Sequence, residues 1–547
     1  MNFLSTTQNV NPAADTAFIV LMAVFCVAVM AVAVWLLTKY IKKPKYAESY
    51  SKRLLVYDKL PEEKKATSIR PVKFNFLGIW FAIAGIGLAI RLIPMFFVSG
   101  YRPTNNQIID DLFIAPSLPG LYGQGGSAGI YGAHLYPIPA YIFSFFGLFA
   151  RAFRLESDPF AMSILIRIPL ILADIGLMLV VYRVAKRHLN EYCALILSGF
   201  VALFPPFIIL SSVWGSVYSL AIVLIVLSMY FMANKKMLRL FLTYSLALLT
   251  SRAALYLFPV VAVFVLYQFI KAVKHNRRSA EKKGFREKLK DPDAKNAILV
   301  PIYIIGFWLA SWLISLPLIH QYSFNPFNFV FMIYLYPLAS HSHFGFNALN
   351  IFNLFVGVSG NGAVWGASTG MSVMFAVLFG AIITGLVLLV YVSRKNRALL
   401  VFLAGFVYLT LSIFFIDFGA ANLIVVIALF LLAFMLIRDK RLLMLVGLLG
   451  LILTLNLSFV LVNANFLNTL GDTYLNLGYQ YLLLGGAGYH MNSWLAANIV
   501  LSALTIIVFI YATVVMLDIA MSNKRKLFVD LEKPTFLKSI GKFIRNK

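Results

Sequence analysis

Stretches of roughly twenty residues, almost free of charge, recur along nearly the whole chain, and a stretch of that kind crosses a bilayer as a helix, where every backbone group is paired. They fall at residues 17–38, 75–98, 138–154, 161–184, 191–212, 216–233 and 238–271, then at 297–320, 371–393, 398–416, 420–437, 441–462 and 494–519. The expectation is an all-α integral membrane protein of about 13 transmembrane helices, of which 138–154 is the shortest. The first, Ala17 to Leu37, has no basic stretch ahead of it and no small-residue cleavage signal, so it is read as a retained helix.

Composition agrees. Of 547 residues 61% are hydrophobic and 12% charged, where a soluble protein carries about 25% charged residues. The 47 Lys and Arg against 21 Asp and Glu invite a nucleic-acid reading. Their placement, in short segments beside apolar spans, argues instead for topology signals, and no nucleic acid is expected as a partner. Cys26 and Cys193 lie in apolar surroundings and imply neither a disulfide framework nor a cysteine metal site.

The basic segments are Lys39 to Lys73, Lys271 to Lys295, Arg394 to Arg397, Arg438 to Arg441 and the tail from Lys524. All of them face the cytoplasm if the N-terminus is outside and the C-terminus inside, the arrangement of a multi-pass plasma membrane protein. Lys186-Arg187 and Lys235-Lys236 then fall outside, against the rule. Either a span between 138 and 271 is re-entrant or interfacial, or packing overrules charge there. The chain divides into an extra helix with a basic linker (1–74), a first membrane module (75–271) with an external loop at 99–137, a basic linker (272–296), a second membrane module (297–519) with external loops at 321–370 and 463–493, and a basic tail (520–547), which lies along the anionic inner leaflet or is solvated.

The loop at 99–137 holds the densest set of chemically capable side chains: Asp110 and Asp111, Arg102, His134 and several tyrosines, with enough Gly and Pro to forbid a long helix. Adjacent carboxylates can bind a divalent cation such as Mg or Mn, or serve as a general base toward a sugar hydroxyl; equally, an Asp there can cap a short helix. Within the spans, Arg167 and Asp174 stand seven residues apart, on one side of a helix, as an ion pair or a helix-helix contact. Arg252 interrupts a long apolar run and either meets an anionic group or snorkels. Asp417 and Asp472 are the other external acids. His341 and His343 have a spacing that permits metal ligation but no carboxylate nearby, which favours a surface loop. Nucleotide-binding and zinc-protease motifs are absent.

Several phrases occur together in an order that resembles the GT-C superfamily of polytopic glycosyltransferases, in its mannosyltransferase-like branch. They are GAHLYPIPAYIF at the end of the first loop, IRIPLILADIGLMLVVYRVAKR, FPPFIILSSVWGSVYSLAIVLIVLSMYFMANKK, LFLTYSLALLTSRAALYLFPVV and FNALNIFNLFVG, spread over about residues 76–440. The resemblance implies a GT-C-like fold and a polyprenyl-phosphate sugar as donor. The acceptor would be a glycan, lipid or protein outside the cytoplasm, and the catalytic or metal-holding acid would sit in the first external loop. Carried onto this chain, it implies Asp110 and Asp111 as catalytic, with Arg102, His134, Tyr136, Trp214, Arg252, Asn347 and Asn350 contacting substrate. The chain departs from the pattern at Asn105 and Asn106, His134 and Leu135, Tyr218 and Thr250-Ser251-Arg252, where acids or a TKP phrase are expected.

The expected function is transfer of a mannose-like hexose from the lipid carrier in cell-envelope glycan or glycolipid assembly. The missing acids motivate an alternative, a catalytically degenerate scaffold. A transporter or flippase of lipid-linked sugars, with Arg167, Asp174 and Arg252 along its path, is a third reading, opposed by the lack of a two-fold repeat of spans.

Overall fold

The computed structural model describes residues 12–40, 76–97, 136–155, 158–278, 291, 294–319, 325–327, 349–351, 354, 378, 382, 384–388, 390–391, 397–414, 419–469 and 489–520. These residues are overwhelmingly helical. In chain order the helices are α1 (Pro12–Tyr40), α2 (Phe76–Phe97), α3 (Pro137–Ala152), α4 (Pro159–His188), α5 (Glu191–Leu203), α6 (Tyr218–Ala233), α7 (Met237–Leu248), α8 (Phe258–Arg278), α9 (Asn296–Ile319), α10 (Arg397–Phe414), α11 (Leu423–Ile437), α12 (Lys440–Thr469) and α13 (Tyr489–Ala520).

Among the described residues, eight helices are long and apolar enough to cross a membrane, nine if a bent pair is one span. The protein is a multi-pass membrane protein. Exposed side chains on the outer faces are apolar, among them Leu21, Phe81, Ile86, Ile305, Leu313 and Ile510, as contact with acyl chains requires. The interior forms around α11, buried along its whole length and flanked by α4, α6, α10 and α12.

The expected span 138–154 is α3, only 16 residues long, below what a crossing needs. The expected single span 238–271 is two elements: α7 ends at Leu248, a 3₁₀ turn follows over Arg252–Leu257, and α8 starts at Phe258. In α8, Phe264 and Tyr267 pack on Tyr391. The expected span 371–393 lies mostly outside the described residues.

The structure shows which basic segments lie together. His188 stacks edge-on to Tyr230 near the end of α6, at 6.0 Å between centroids. The Arg438 guanidinium donates to the His188 carbonyl, and Phe76 meets Tyr192 at 5.2 Å. Lys186-Arg187 and Lys235-Lys236 therefore share one end of the bundle with Arg438 and with the start of α2. The expectation that they face away from the other basic segments is corrected for Arg438, which lies beside them; α3 (16 residues) and α7 (12 residues) are both shorter than a crossing, while Arg252–Arg277 is long enough for one.

α5 is the irregular span. Asn190 caps it, accepting from the Cys193 amide at 2.7 Å. Pro205 and Pro206 end it, and Phe204 ahead of them takes the extended conformation that a following proline imposes (φ −75°, ψ 118°). The chain resumes as a turn of helix over Pro205–Ile208 and a π-helical turn over Ile209–Trp214, bent by 52° from α5. Gly215 closes that turn at φ 75°, a left-handed conformation glycine adopts without strain.

Candidate functional site

A helix broken inside a bilayer leaves backbone groups that water cannot satisfy. Prolines 205 and 206 have no N–H to offer the carbonyls four residues back, those of Val201 and Ala202. Arg91 of α2 supplies the missing donors: Nη1 reaches the Ala202 carbonyl at 2.7 Å and Nη2 that of Val201 at 3.2 Å. Its Nε donates to Asp174 Oδ2 at 2.9 Å, and both side chains are essentially inaccessible (0% and 1%). The Ser211 and Ser219 hydroxyls lie within hydrogen-bonding reach of the same carboxylate. Asp174 thus balances the charge that the broken helix calls in.

Arg167 does similar work at the other end of the break. Its Nη1 donates to the carbonyls of Ser212, at the π turn, and Met95, near the end of α2, at 3.1 and 3.3 Å, and its Nη2 to Ser163 Oγ at 2.6 Å. It is fully buried, its Nε has no partner, and it has no carboxylate partner among the described residues. The expected pairing of Arg167 with Asp174 is therefore replaced. Both side chains face the break, but Asp174 turns to Arg91 and Arg167 to carbonyls. Arg91 was missed in the sequence; its signal was a cation inside an apolar span, as at Arg167.

Beside the break lies a second polar cluster. Arg252 opens the 3₁₀ turn, whose cap, Ser251, accepts from the Ala253 amide at 3.2 Å. Tyr244 pins the turn to α7 through a hydrogen bond from its hydroxyl to the Ala254 carbonyl at 2.9 Å. Tyr256 meets Tyr408 edge-on at 5.9 Å. The Tyr408 hydroxyl donates to Asn422 Oδ1 at 3.0 Å, and Arg252 and Tyr218 are close enough to act on Tyr408 electrostatically. Arg252 and Trp214 are partly accessible, whereas Tyr408 and Asn422 are buried.

The two helix ends that flank the first polar segment both reach this region. Its entry follows α2, where Met95 is held by Arg167. At its exit, Tyr136 caps α3 and is buried (5% exposed). The Ile138 amide donates to the Leu249 carbonyl at 3.0 Å, three residues before Arg252, and the Tyr141 hydroxyl donates to the Ile314 carbonyl at 2.6 Å. Val217 and Leu220 of the π-turn exit pack into the same small cluster as Tyr136. Of the residues expected to form the site, Tyr136 shares a cluster with Val217 and Leu249, each three residues along the chain from Trp214 and Arg252 respectively. The structure places Asn350 as a buried residue next to Leu349 of the main core. Asp110, Asp111, Arg102, His134 and Asn347 lie outside the described residues, as do Asp417, Asp472, His341 and His343.

Every carboxylate whose surroundings the structure describes is already engaged. Asp158 caps α4 through the amides of Phe160 and Ala161, and Asp174 holds Arg91. Glu191 pairs with Lys186 and Asp291 with His275. Asp439 and Asp518 both pair with Arg441. No group of three or more His, Cys, Asp or Glu able to hold a metal occurs among the described residues.

The geometry offers a guanidinium, several phenols and an indole within the apolar bundle. Such a set can bind an anionic group and stack or hydrogen-bond a polar ring. No protein-family model matches the chain, and none of the curated proteins matches it.

Proposed function

We propose that this protein is a membrane glycosyltransferase that moves a mannose-like hexose from a polyprenyl-phosphate carrier to a glycan, lipid or protein acceptor outside the cytoplasm, in cell-envelope assembly. The reading carries with it a GT-C-like architecture and a plasma membrane location, the N-terminus outside and the C-terminus cytoplasmic. The observation that carries it is the convergence of Arg252, Trp214 and the exit of the first polar loop at one place inside the apolar bundle. A lipid-linked donor needs such a place, because its phosphate must meet a cation at membrane depth while its sugar reaches a polar loop.

In this reading Arg252, helped by Arg102, neutralises the leaving polyprenyl phosphate. Asp110 or Asp111 takes the proton from the acceptor hydroxyl, or holds a divalent cation against the donor phosphate. His134, Tyr136, Trp214, Asn347 and Asn350 wall the sugar. The engagement of every described carboxylate supports the loop pair as the source of the base. The same observation favours a second reading, a degenerate scaffold, should the loop acids prove dispensable. The transport reading is weakened: Arg91, Asp174 and Arg167 are occupied in closing a broken helix, which leaves less of a charged path for cargo.

The test is transfer from radiolabelled polyprenyl-phosphate sugars in membranes containing the wild type, Asp110→Asn/Asp111→Asn or Arg252→Gln. Removing the base is expected to lower turnover by about 10²–10⁴-fold, and Arg252→Gln to lower it while weakening donor binding. Full activity in the double Asn variant would move the base elsewhere, with Asp417 next. Folded wild-type protein inactive with every donor would favour the scaffold.

A further inference from the structure

Three described residues other than glycine have positive φ: Arg154 at 54°, Lys235 at 56° and Arg438 at 63°. All three are basic, and each ends or turns a helix where glycine or asparagine would sit with less strain. Lys235 and Arg438 lie at one end of the bundle, and Arg154, between α3 and α4, at the other.

Lys235 and Arg438 belong to the end of the bundle shared by α4, α6, α7 and α11, together with Arg183, Lys186, Arg187, Lys236 and Arg239. The cations there are not equivalent. Lys186 is paired with Glu191 at 2.6 Å, and Arg438 is bonded to the His188 carbonyl. Arg187, Lys236 and Arg239 have no acid partner among the described residues. They nevertheless lie near one another: the ring of His188, next to Arg187, meets Tyr230, six residues before Lys236, at 6.0 Å, and the Lys236 ammonium is drawn below its ordinary value, first by burial and then by the charges of Arg239 and Arg187. Arg239 is positioned over the Phe231 ring, 5.8 Å from its centroid. On the same helix as Arg239, Leu238 and Leu242 are 54% and 47% exposed. Three crowded cations above an exposed apolar strip match a ligand with an anionic head and an acyl tail, better than they match a soluble anion.

We propose that Arg187, Lys236 and Arg239 bind the phosphate of an anionic phospholipid, with its acyl chains along Leu238 and Leu242. Guanidinium groups form forked hydrogen bonds to phosphate oxygens, while the lysine contributes a point charge. Bound lipid relieves the mutual repulsion of the three cations and joins the turns after α4 and α6. The site is independent of the proposed transferase chemistry, which sits beneath the polar loop toward the other end of α4.

The experiment uses the purified full chain in detergent, titrated with phosphatidylglycerol, phosphatidylcholine or inorganic phosphate. Thermal stability and native mass spectrometry are read for the wild type, Arg187→Gln/Lys236→Gln/Arg239→Gln, and Lys271→Gln/Lys274→Gln/Arg277→Gln, which removes equal charge from the end of α8. Phosphatidylglycerol is expected to raise the Tm of the wild type and the α8 variant. The triple variant at the site is expected to bind it roughly tenfold more weakly or worse. A single Arg239→Gln should show a partial loss, so that a fold defect in the triple variant does not decide the matter. Retained binding in the triple variant, an equal loss in the α8 variant, or an equal shift with inorganic phosphate would overturn the proposal.

Discussion

Arg91 carries two loads at once. Its guanidinium replaces the donors that Pro205 and Pro206 lack, and its charge is answered by Asp174. The two can be separated. Arg91→Met leaves Asp174 buried without its partner and two carbonyls without donors, and removing one member of a buried pair costs about 3–5 kcal/mol. Adding Asp174→Leu removes the charge penalty and leaves the carbonyls, so the double variant should remain below wild type by about 1–3 kcal/mol in chemical unfolding. A double variant as stable as wild type would mean that the arginine serves the aspartate alone. At Tyr408, loss of the hydroxyl in Tyr408→Phe removes the bond to Asn422 and should cost about 0.5–1.5 kcal/mol. The sequence showed that Asp174 needed a partner but pointed to Arg167, the cation nearest along the same helix. Helical spacing reports which side a residue faces. It does not report which neighbouring helix brings a better donor, and here the need was set by prolines on α5 and met from α2.

The break after α5 is also where neighbouring elements approach most closely. An added Cβ at Gly450 of α12 would come within 2.0 Å of Phe204 Cζ, a ring packed on Phe200 at 4.4 Å and fully buried. Gly450→Ala should therefore destabilise by about 1–3 kcal/mol, and Phe204→Leu in the same chain should return part of that; an unchanged unfolding midpoint for Gly450→Ala would refute the close packing. Long apolar runs were legible as membrane helices because the bilayer filters for them, and the elements from α1 to α13 fall close to the runs read from the sequence. The two exceptions had length as their warning. Residues 138–154 were short for a crossing, and 238–271 were long for one, with Ser251 and Arg252 marking the place where it divides. Of the candidate site, Tyr136, Trp214 and Arg252 were legible through local phrases. Tyr256, Tyr408 and Asn422 were not, since α10 and α11 bring them in from far along the chain.

At the scale of the molecule, the account depends on which helix ends share a face. The turns after α4, α6 and α11 come to one face, and the α3–α4 turn lies at the opposite end of α4, about 45 Å away by helical rise. The proposed chemistry belongs to the half of the bundle nearer that turn, and the proposed lipid site to the other. The most direct measurement is side-specific labelling with a membrane-impermeant thiol reagent in intact cells and inverted vesicles. Phe153→Cys and Arg187→Cys would each be placed in a chain whose buried Cys26 and Cys193 are changed to Ala. The account predicts that Phe153→Cys reacts from outside and Arg187→Cys only from the cytoplasmic side. Reaction of both from the same side would mean that α4 does not cross as described, and the placement of the site beneath an external loop would fall with it.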